Sequence, residues 1–257
     1  MIEGTALHSG VTSKVRLHRD EGAVRFLRNG TYIPVCLSNV TATQRSTTLG
    51  REGARVTLVE HLLAALHVRG WWRDLVIEVS ADELPILDGS SAPWLEAVDG
   101  LGSPPPAPEP LVVTRRVGLE LDQTHLQVCP DKSSLDVRID FAHPAIGQQR
   151  WCGTPETYAD VLDARTFGFL KDVKMLREKG LATHATAENA IVFDDTGSLT
   201  PLRSADEPVR HKALDALGDL FLLGRPLAGR LAITRGSHHS HVVFARLLSS
   251  LAHGDAL

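Results

Sequence analysis

The densest chemistry in the chain lies in Val209-Arg210-His211-Lys212-Ala213-Leu214-Asp215-Ala216-Leu217-Gly218-Asp219-Leu220. On a helix, His211, Asp215 and Asp219 fall at i, i+4 and i+8 and line one stripe. Imidazole and carboxylate one turn apart can converge on a metal ion, and a third protein ligand with an open water position would complete a catalytic zinc site. The same spacing also suits a solvated face carrying a His–Asp pair. A second group, Thr57-Leu58-Val59-Glu60-His61-Leu62-Leu63-Ala64-Ala65-Leu66, sets a glutamate beside a histidine where an apolar helix begins. It could supply the third ligand and a general base. Equally, Thr57 with Glu60 three residues on forms a capping box, the glutamate bonding back to the Thr57 amide, with His61 a satisfied buried histidine. A third group, Thr234-Arg235-Gly236-Ser237-His238-His239-Ser240-His241, follows the strand-like Leu231-Ala232-Ile233. Its histidines could bind metal, donate a proton or form a polar loop.

The elements that must position these groups follow an α+β rhythm. Lys14–Leu17 and Ala23–Arg28 read as antiparallel strands, Val59–Leu66 as a compact helix and Leu75–Val79 as a strand. Asp88–Ser91 is a turn into a short helix around Trp94–Val98. Strand-like Leu111–Val113, Leu126–Val128 and Leu135–Ile139 then precede a helix near Val173–Lys179, ending at Gly180, and the helix after Pro208, stopping before Gly224. Proline in the first turn and glycine past the end are helix-boundary chemistry. Five of the 14 prolines fall between Pro104 and Pro110, a semi-rigid extended linker. The expected domains are therefore residues 1–103, with the Glu-His pair, and residues 111–257, with the His-x-x-x-Asp helix, joined by 104–110. Their similar order suggests a duplicated α+β unit.

Composition narrows the function. A net charge of −4 argues against a nucleic-acid partner, because a phosphate backbone rewards a clustered basic surface. No apolar run nears the ~20 residues a membrane span needs, and Met1-Ile2-Glu3-Gly4 lacks the marks of a signal peptide. Cys36, Cys129 and Cys152 are odd in number and scattered, so a disulfide framework or cysteine zinc site is not expected, and a cytoplasmic location is.

The Glu60–Leu66 and Val209–Asp219 segments resemble the zinc-dependent UDP-3-O-acyl-N-acetylglucosamine deacetylases of lipid A synthesis. So do Gly4-Thr5-Ala6-Leu7-His8-Ser9-Gly10, Pro85-Ile86-Leu87-Asp88-Gly89-Ser90-Ser91-Ala92-Pro93 and Phe141-Ala142-His143-Pro144-Ala145-Ile146-Gly147-Gln148. Ala164-Arg165-Thr166-Phe167-Gly168-Phe169 and Asn189-Ala190-Ile191-Val192 complete the set. The resemblance implies two similar α+β domains, each a β-sheet with its helices packed at the inter-domain interface, a duplicated β-α-α-β sandwich with the active site between the halves. It implies His61, His211 and Asp215 as ligands of Zn2+ and Glu60 as general base. His238 would be a charged general acid or electrostatic partner oriented by Asp219, and Thr166 would stabilise the oxyanion. Lys212, Asp172, Phe167 and His8 would contact an acylated UDP-amino-sugar, and a monomer is expected.

Amide hydrolysis needs a strong nucleophile, a polarised carbonyl and a proton for the leaving amine, and these assignments supply all three. The segment from about 169 to 195 corresponds to the family's acyl-chain insert. Its Phe169, Leu170, Val173, Met175, Leu176, Leu181, Ile191 and Val192 could line a passage or simply pack a helix onto its sheet. The chain departs from the family at His184-Ala185-Thr186, where Gly-Gly-Ser is usual, and at Gly236-Ser237-His238-His239-Ser240-His241, where Ser-Gly-His-Ala-Leu-Asn is usual. Pro208 replaces an aromatic, and Trp71-Trp72-Arg73-Asp74 replaces a Gly-Ile-Asp-Asn turn. Two other functions fit the residues: a zinc deacetylase of a different N-acetylated sugar or nucleotide sugar, and a non-catalytic relative binding nucleotide sugar or lipid.

Overall fold

The computed structural model describes residues 1–253. In the first half the strands are β1 (Ile2–Thr5), β2 (Thr12–Ala23), β3 (Arg25–Arg28), β4 (Thr31–Pro34), β5 (Val40–Ala42), β6 (Thr48–Arg51), β7 (Ala54–Thr57) and β8 (Arg73–Val79). The helices there are α1 (Glu60–Arg69) and α2 (Ala92–Asp99). Residues 104–110 carry no regular element. The second half holds β9 (Leu111–Val112), β10 (Val117–Leu121), β11 (Thr124–Cys129), β12 (Ser134–Phe141), β13 (Gly147–Gly153), β14 (Phe167–Phe169) and β15 (Ile191–Phe193), with α3 (Val173–Glu178) before β15. After these come α4 (Glu207–Leu220), β16 (Leu227–Ala228), β17 (Arg230–Thr234) and α5 (His238–His253).

The two halves repeat one sheet. The first runs β1-β2-β8-β3-β4 and the second β10-β11-β17-β12-β13. In each, the last strand in sequence lies at the centre, antiparallel to one neighbour (β2 or β11) and parallel to the other (β3 or β12). A parallel pair cannot be closed by a tight hairpin, so each half needs a long crossover. The crossover helices are α1 in the first half and α4 in the second. Leu62, Leu63 and Leu66 of α1 join Val15, Phe26 and Ile77 of the first sheet in one core. Ala213, Leu214 and Leu217 of α4 join Val128, Val137 and Ile233 of the second. The helices pack on one another, giving the expected order of sheet, helix, helix, sheet.

This leaves the first seven residues of α1 covered on every side. Glu60 through Leu66 are all buried, which explains a sequence apolar almost all round rather than on one stripe. The close approach requires Gly218 in the interior of α4, because a Cβ there would lie 2.1 Å from the carbonyl oxygen of Glu60. Two expectations change. Thr57 and Glu60 form no capping box: Leu58 takes a left-handed φ of 63°, turning the chain between β7 and α1, and the Thr57 amide bonds Asp82 O at 2.9 Å instead. The histidine tract is not a loop either, because His238 begins the 16-residue α5. Among the described residues no helix is long and apolar enough to cross a membrane.

Candidate active site

The packing of the start of α1 along α4 brings the sequence's candidates together. His61, His211 and Asp215 are buried, with one ligand-type atom from each lying within 4.8 Å of the others. Their rings set this up: those of His61 and His211 meet edge to face at 5.2 Å, and His211 Nε2 is 3.4 Å from Asp215 Oδ1. His211 Nδ1 donates to the backbone oxygen of Ala164 at 3.0 Å, so in the neutral ring Nε2 keeps its lone pair toward Asp215. His61 Nδ1 is buried with no hydrogen-bond partner.

Burial first, then the neighbouring His211, lowers the His61 imidazole to about 3, and burial likewise lowers His211. Burial alone would raise the Asp215 carboxyl, but His211, Lys212 and His238 hold it well below the usual carboxylate range. Two neutral imidazoles and a carboxylate, converging with an orphaned ring nitrogen among them, fit a metal ion.

Glu60 and His238 face each other beside this group. Glu60 Oε1 lies 3.7 Å from His238 Nε2, and Glu60 Oε2 accepts the Thr47 amide at 2.9 Å. Burial pushes the Glu60 carboxyl up to about 7, with Asp219 and Asp215 adding to the rise and His238 and the Thr47 amide opposing it. Burial would lower His238, but the carboxylates of Asp219, Glu60 and Asp215 hold the imidazole at about 10. A base poised near neutrality thus stands opposite an imidazolium.

Asp219 is fully buried. Its Oδ1 accepts the Thr47 hydroxyl at 2.6 Å, and its Oδ2 accepts Nδ1–H from both His238 and His241 at 2.8 Å each. Asp219, His238 and His241 are a second group with metal-ligand chemistry, although these 2.8 Å separations are those of shared protons. His239, the third histidine of the tract, is exposed.

The remaining candidates line or approach a cavity of about 120 Å³ that includes Thr166, Phe167, His8 and Arg45, with Phe169, Val173, Leu176, Leu181, Ile191 and Val192. Phe167 stands edge-on to His211, 6.3 Å between centroids, so the cavity adjoins the histidine cluster. His8 Nδ1 accepts the Ala182 amide at 3.1 Å, which leaves its proton on Nε2, buried and without a partner. Lys212 Nζ donates to Asp215 Oδ2 at 2.8 Å and sits 5.5 Å over the Phe167 ring. Asp172 is half-buried at the foot of α3, just before the lining residue Val173. Leu170 and Met175, expected beside the other apolar residues of the insert, are exposed instead. Ala185 of His184-Ala185-Thr186 joins the lining, and the His184 amide bonds Leu7 O at 3.1 Å.

Sequence reasoning missed Thr47, whose amide holds Glu60 and whose hydroxyl holds Asp219. No motif marks it: Ser46-Thr47-Thr48 before a short strand looks like any other polar turn. It also missed Arg45 in the cavity lining.

Comparison with known proteins places the chain in a family. The family described as UDP-3-O-acyl N-acetylglycosamine deacetylase matches residues 1–250. Three similar proteins carry the name UDP-3-O-acyl-N-acetylglucosamine deacetylase. One from Leptospira biflexa is 37% identical over 270 aligned residues, covering 100% of this chain and 89% of the relative. One from Thermosynechococcus vestitus is 43% identical over 223 residues, covering 84% and 78%. A third, from Nitratidesulfovibrio vulgaris, is 38% identical over 263 residues, covering 97% and 85%.

Proposed function

The chain belongs to the UDP-3-O-acyl N-acetylglycosamine deacetylase family, and from that premise we propose that it holds one zinc ion at His61, His211 and Asp215. It is an enzyme, a deacetylase that hydrolyses the N-acetyl amide of UDP-3-O-acyl-N-acetylglucosamine in lipid A synthesis and releases acetate. The observation that carries the metal assignment is the convergence of those three buried side chains with Glu60 and His238 facing across them. Zinc bound there would polarise the amide carbonyl and acidify a water.

The chain's own groups do the rest. Glu60, raised toward neutrality by burial, takes a proton from the attacking water. His238 keeps its proton on Nδ1 through Asp219 and turns Nε2 toward the reacting centre. Its positive charge stabilises the oxygen that becomes negative and favours departure of the amine. Thr166 adds a hydroxyl for that oxygen. Phe167, His8, Lys212 and Asp172 bind the nucleotide sugar, and the apolar cavity from Phe169 to Val192 takes the acyl chain. Residues 1–103 and 111–257 act as two domains joined by 104–110, one supplying Glu60 and His61, the other supplying His211, Asp215 and His238.

Elemental analysis should find about one zinc per chain in the purified protein and none in His211→Ala. Mass spectrometry should show loss of one acetyl group from the acylated UDP-sugar. Without the acyl chain, kcat/KM should fall steeply, since each buried methylene contributes up to ~0.8 kcal/mol. Zinc retained by His211→Ala would remove the ligand assignment, and equal turnover with and without the acyl chain would favour a different N-acetylated sugar.

A further inference from the structure

The proposed chemistry uses one histidine of the tract Ser237-His238-His239-Ser240-His241, yet the structure buries two. His241 is 2% exposed, and its Nδ1 lies 2.8 Å from Asp219 Oδ2, the same oxygen and the same distance as His238 Nδ1. A carboxylate oxygen accepts and cannot donate, so each ring presents an N–H to it. With the Thr47 hydroxyl on Oδ1, Asp219 receives three hydrogen bonds from three directions. We propose that His241 is a positioning residue for the deacetylation: by donating to Asp219 Oδ2 it fixes the plane of the carboxylate that aims His238.

Two independent features are built around this contact. The first is the start of α5. Ser240 Oγ accepts the Ser237 amide at 2.9 Å, while the Ser240 amide reaches Ser237 Oγ at 3.3 Å. This is the reciprocal arrangement of a capping box with serine in place of glutamate. It locks the first turn, and residues three apart on a helix share a face, so His238 and His241 are both turned to Asp219. Their rings lie 6.5 Å apart and near perpendicular, allowing both Nδ1 atoms to reach one oxygen without the rings clashing. The second is Gly236. A Cβ there would stand 2.5 Å from His241 Nε2 and 2.5 Å from Ile233 Cγ2. The missing side chain is the slot into which the far end of the His241 ring fits.

Without His241, Oδ2 would be held by His238 alone, so carboxylate and ring could turn together about the Thr47 bond on Oδ1. A second donor on Oδ2 removes that joint motion, and a charge-assisted hydrogen bond is stronger than a neutral one. The loss should therefore fall on turnover, while metal loading and substrate binding stay as they are.

The inference rests on the role proposed for His238, and the test separates the two. His241→Leu fills the slot without a donor, whereas His241→Asn keeps an N–H able to reach Asp219. With zinc content and KM unchanged, His241→Leu should lower kcat roughly tenfold and His241→Asn should recover most of it. Proton NMR of the unmodified enzyme should show two low-field imidazole N–H signals. Asparagine at 241 should abolish one and leave the other. This readout holds even if the leucine variant folds poorly. Unchanged kcat in a folded His241→Leu, equal losses in both variants, or a single low-field signal would overturn the inference. Such results beside an inactive His238→Ala would leave the role of His238 standing, while a fully active His238→Ala would overturn both.

Discussion

The carbonyl oxygen of Glu60 occupies the space that a side chain at Gly218 would need, 2.1 Å from the position of its Cβ. One residue thus brings two helices from different halves of the chain close enough for their polar groups to form one cluster. Glycine inside a helix costs about 1 kcal/mol relative to alanine, so its presence in α4 has a packing cause. Gly218→Ala must push α1 from α4, since backbone cannot move aside as a flexible side chain can. Overpacking should exceed the helix-propensity gain and leave a net loss of about 1–3 kcal/mol. The expected result is a lower Tm together with weaker zinc retention during dialysis against a chelator. An unchanged Tm would mean that the helices separate freely.

Glu60→Gln tests the base. The glutamine side-chain oxygen can still accept the Thr47 amide that Glu60 Oε2 accepts at 2.9 Å, so Tm and zinc content should hold. Glutamine cannot take a proton from water, and kcat should fall ~10²–10⁴-fold. His61→Ala should differ in kind, losing zinc and activity together. Near-normal turnover in a stable, zinc-loaded Glu60→Gln would place the base elsewhere, with His238 examined next.

Arg165 and Glu207 form a buried ion pair, Nε to Oε1 at 2.9 Å, at the entry to α4. Burial would raise the Glu207 carboxyl, but the Arg165 hydrogen bonds and the Arg203 and Arg165 amides hold it below its ordinary value. Arg165→Met strands a buried carboxylate and should cost ~3–5 kcal/mol, whereas Arg165→Met with Glu207→Leu should cost much less. Urea unfolding of the three proteins measures the difference. A double variant as unstable as the single one would show that the lost packing, not the orphaned charge, is what matters.

His67 gives the stability a pH dependence. Burial lowers its imidazole to about 4, against the upward pull of its hydrogen bond to Leu217 O, which it donates from Nδ1 at 2.7 Å. The unfolded chain binds this proton near pH 6.5 and the folded one only near 4. Between those values unfolding takes up a proton, so stability is complete above about pH 6.5 and declines as the pH falls toward 4. Allowing for the ring's partial exposure, the decline is roughly 2 kcal/mol. His67→Gln can still donate to Leu217 but cannot titrate. Its stability relative to the unsubstituted protein should therefore rise by about that amount between pH 7 and pH 4.5. A difference that stays constant across this range would assign the acid sensitivity to other groups.

The parts of this molecule that were legible in the sequence share a physical reason. His211, Asp215 and Asp219 repeat at helical spacing, Pro208 and Gly224 bracket their helix, and the apolar run after Glu60 needs burial. Each is local, and local pattern is what a single sequence carries. Thr47 was hidden because its partner Asp219 lies 172 residues away. The capping-box reading of Glu60 failed because nothing in Thr57-Leu58-Val59 announces the left-handed turn at Leu58. Helix α5 was missed because its first turn is His-His-Ser-His, and its apolar residues begin only at Val242. The equal spacing of His238 and His241 about Asp219 is a tertiary fact: the motif resemblance pointed to His238, and nothing in the sequence gave His241 a role beside it.

The burial of the first seven residues of α1 on every side has a consequence for how the chain is made. Synthesis runs from the N-terminus, and early segments begin to fold before later ones exist. When residues 1–103 have emerged, α1 can lay Leu62, Leu63 and Leu66 on its own sheet, but the side destined for α4 has nothing to cover it. Ala64, which ends in the core of the second half, is then open to water, and Glu60 has the Thr47 amide but not the His238 imidazole beside it. Final burial of α1 must therefore wait for α4 to leave the ribosome, and until then this apolar face is exposed surface of the nascent chain.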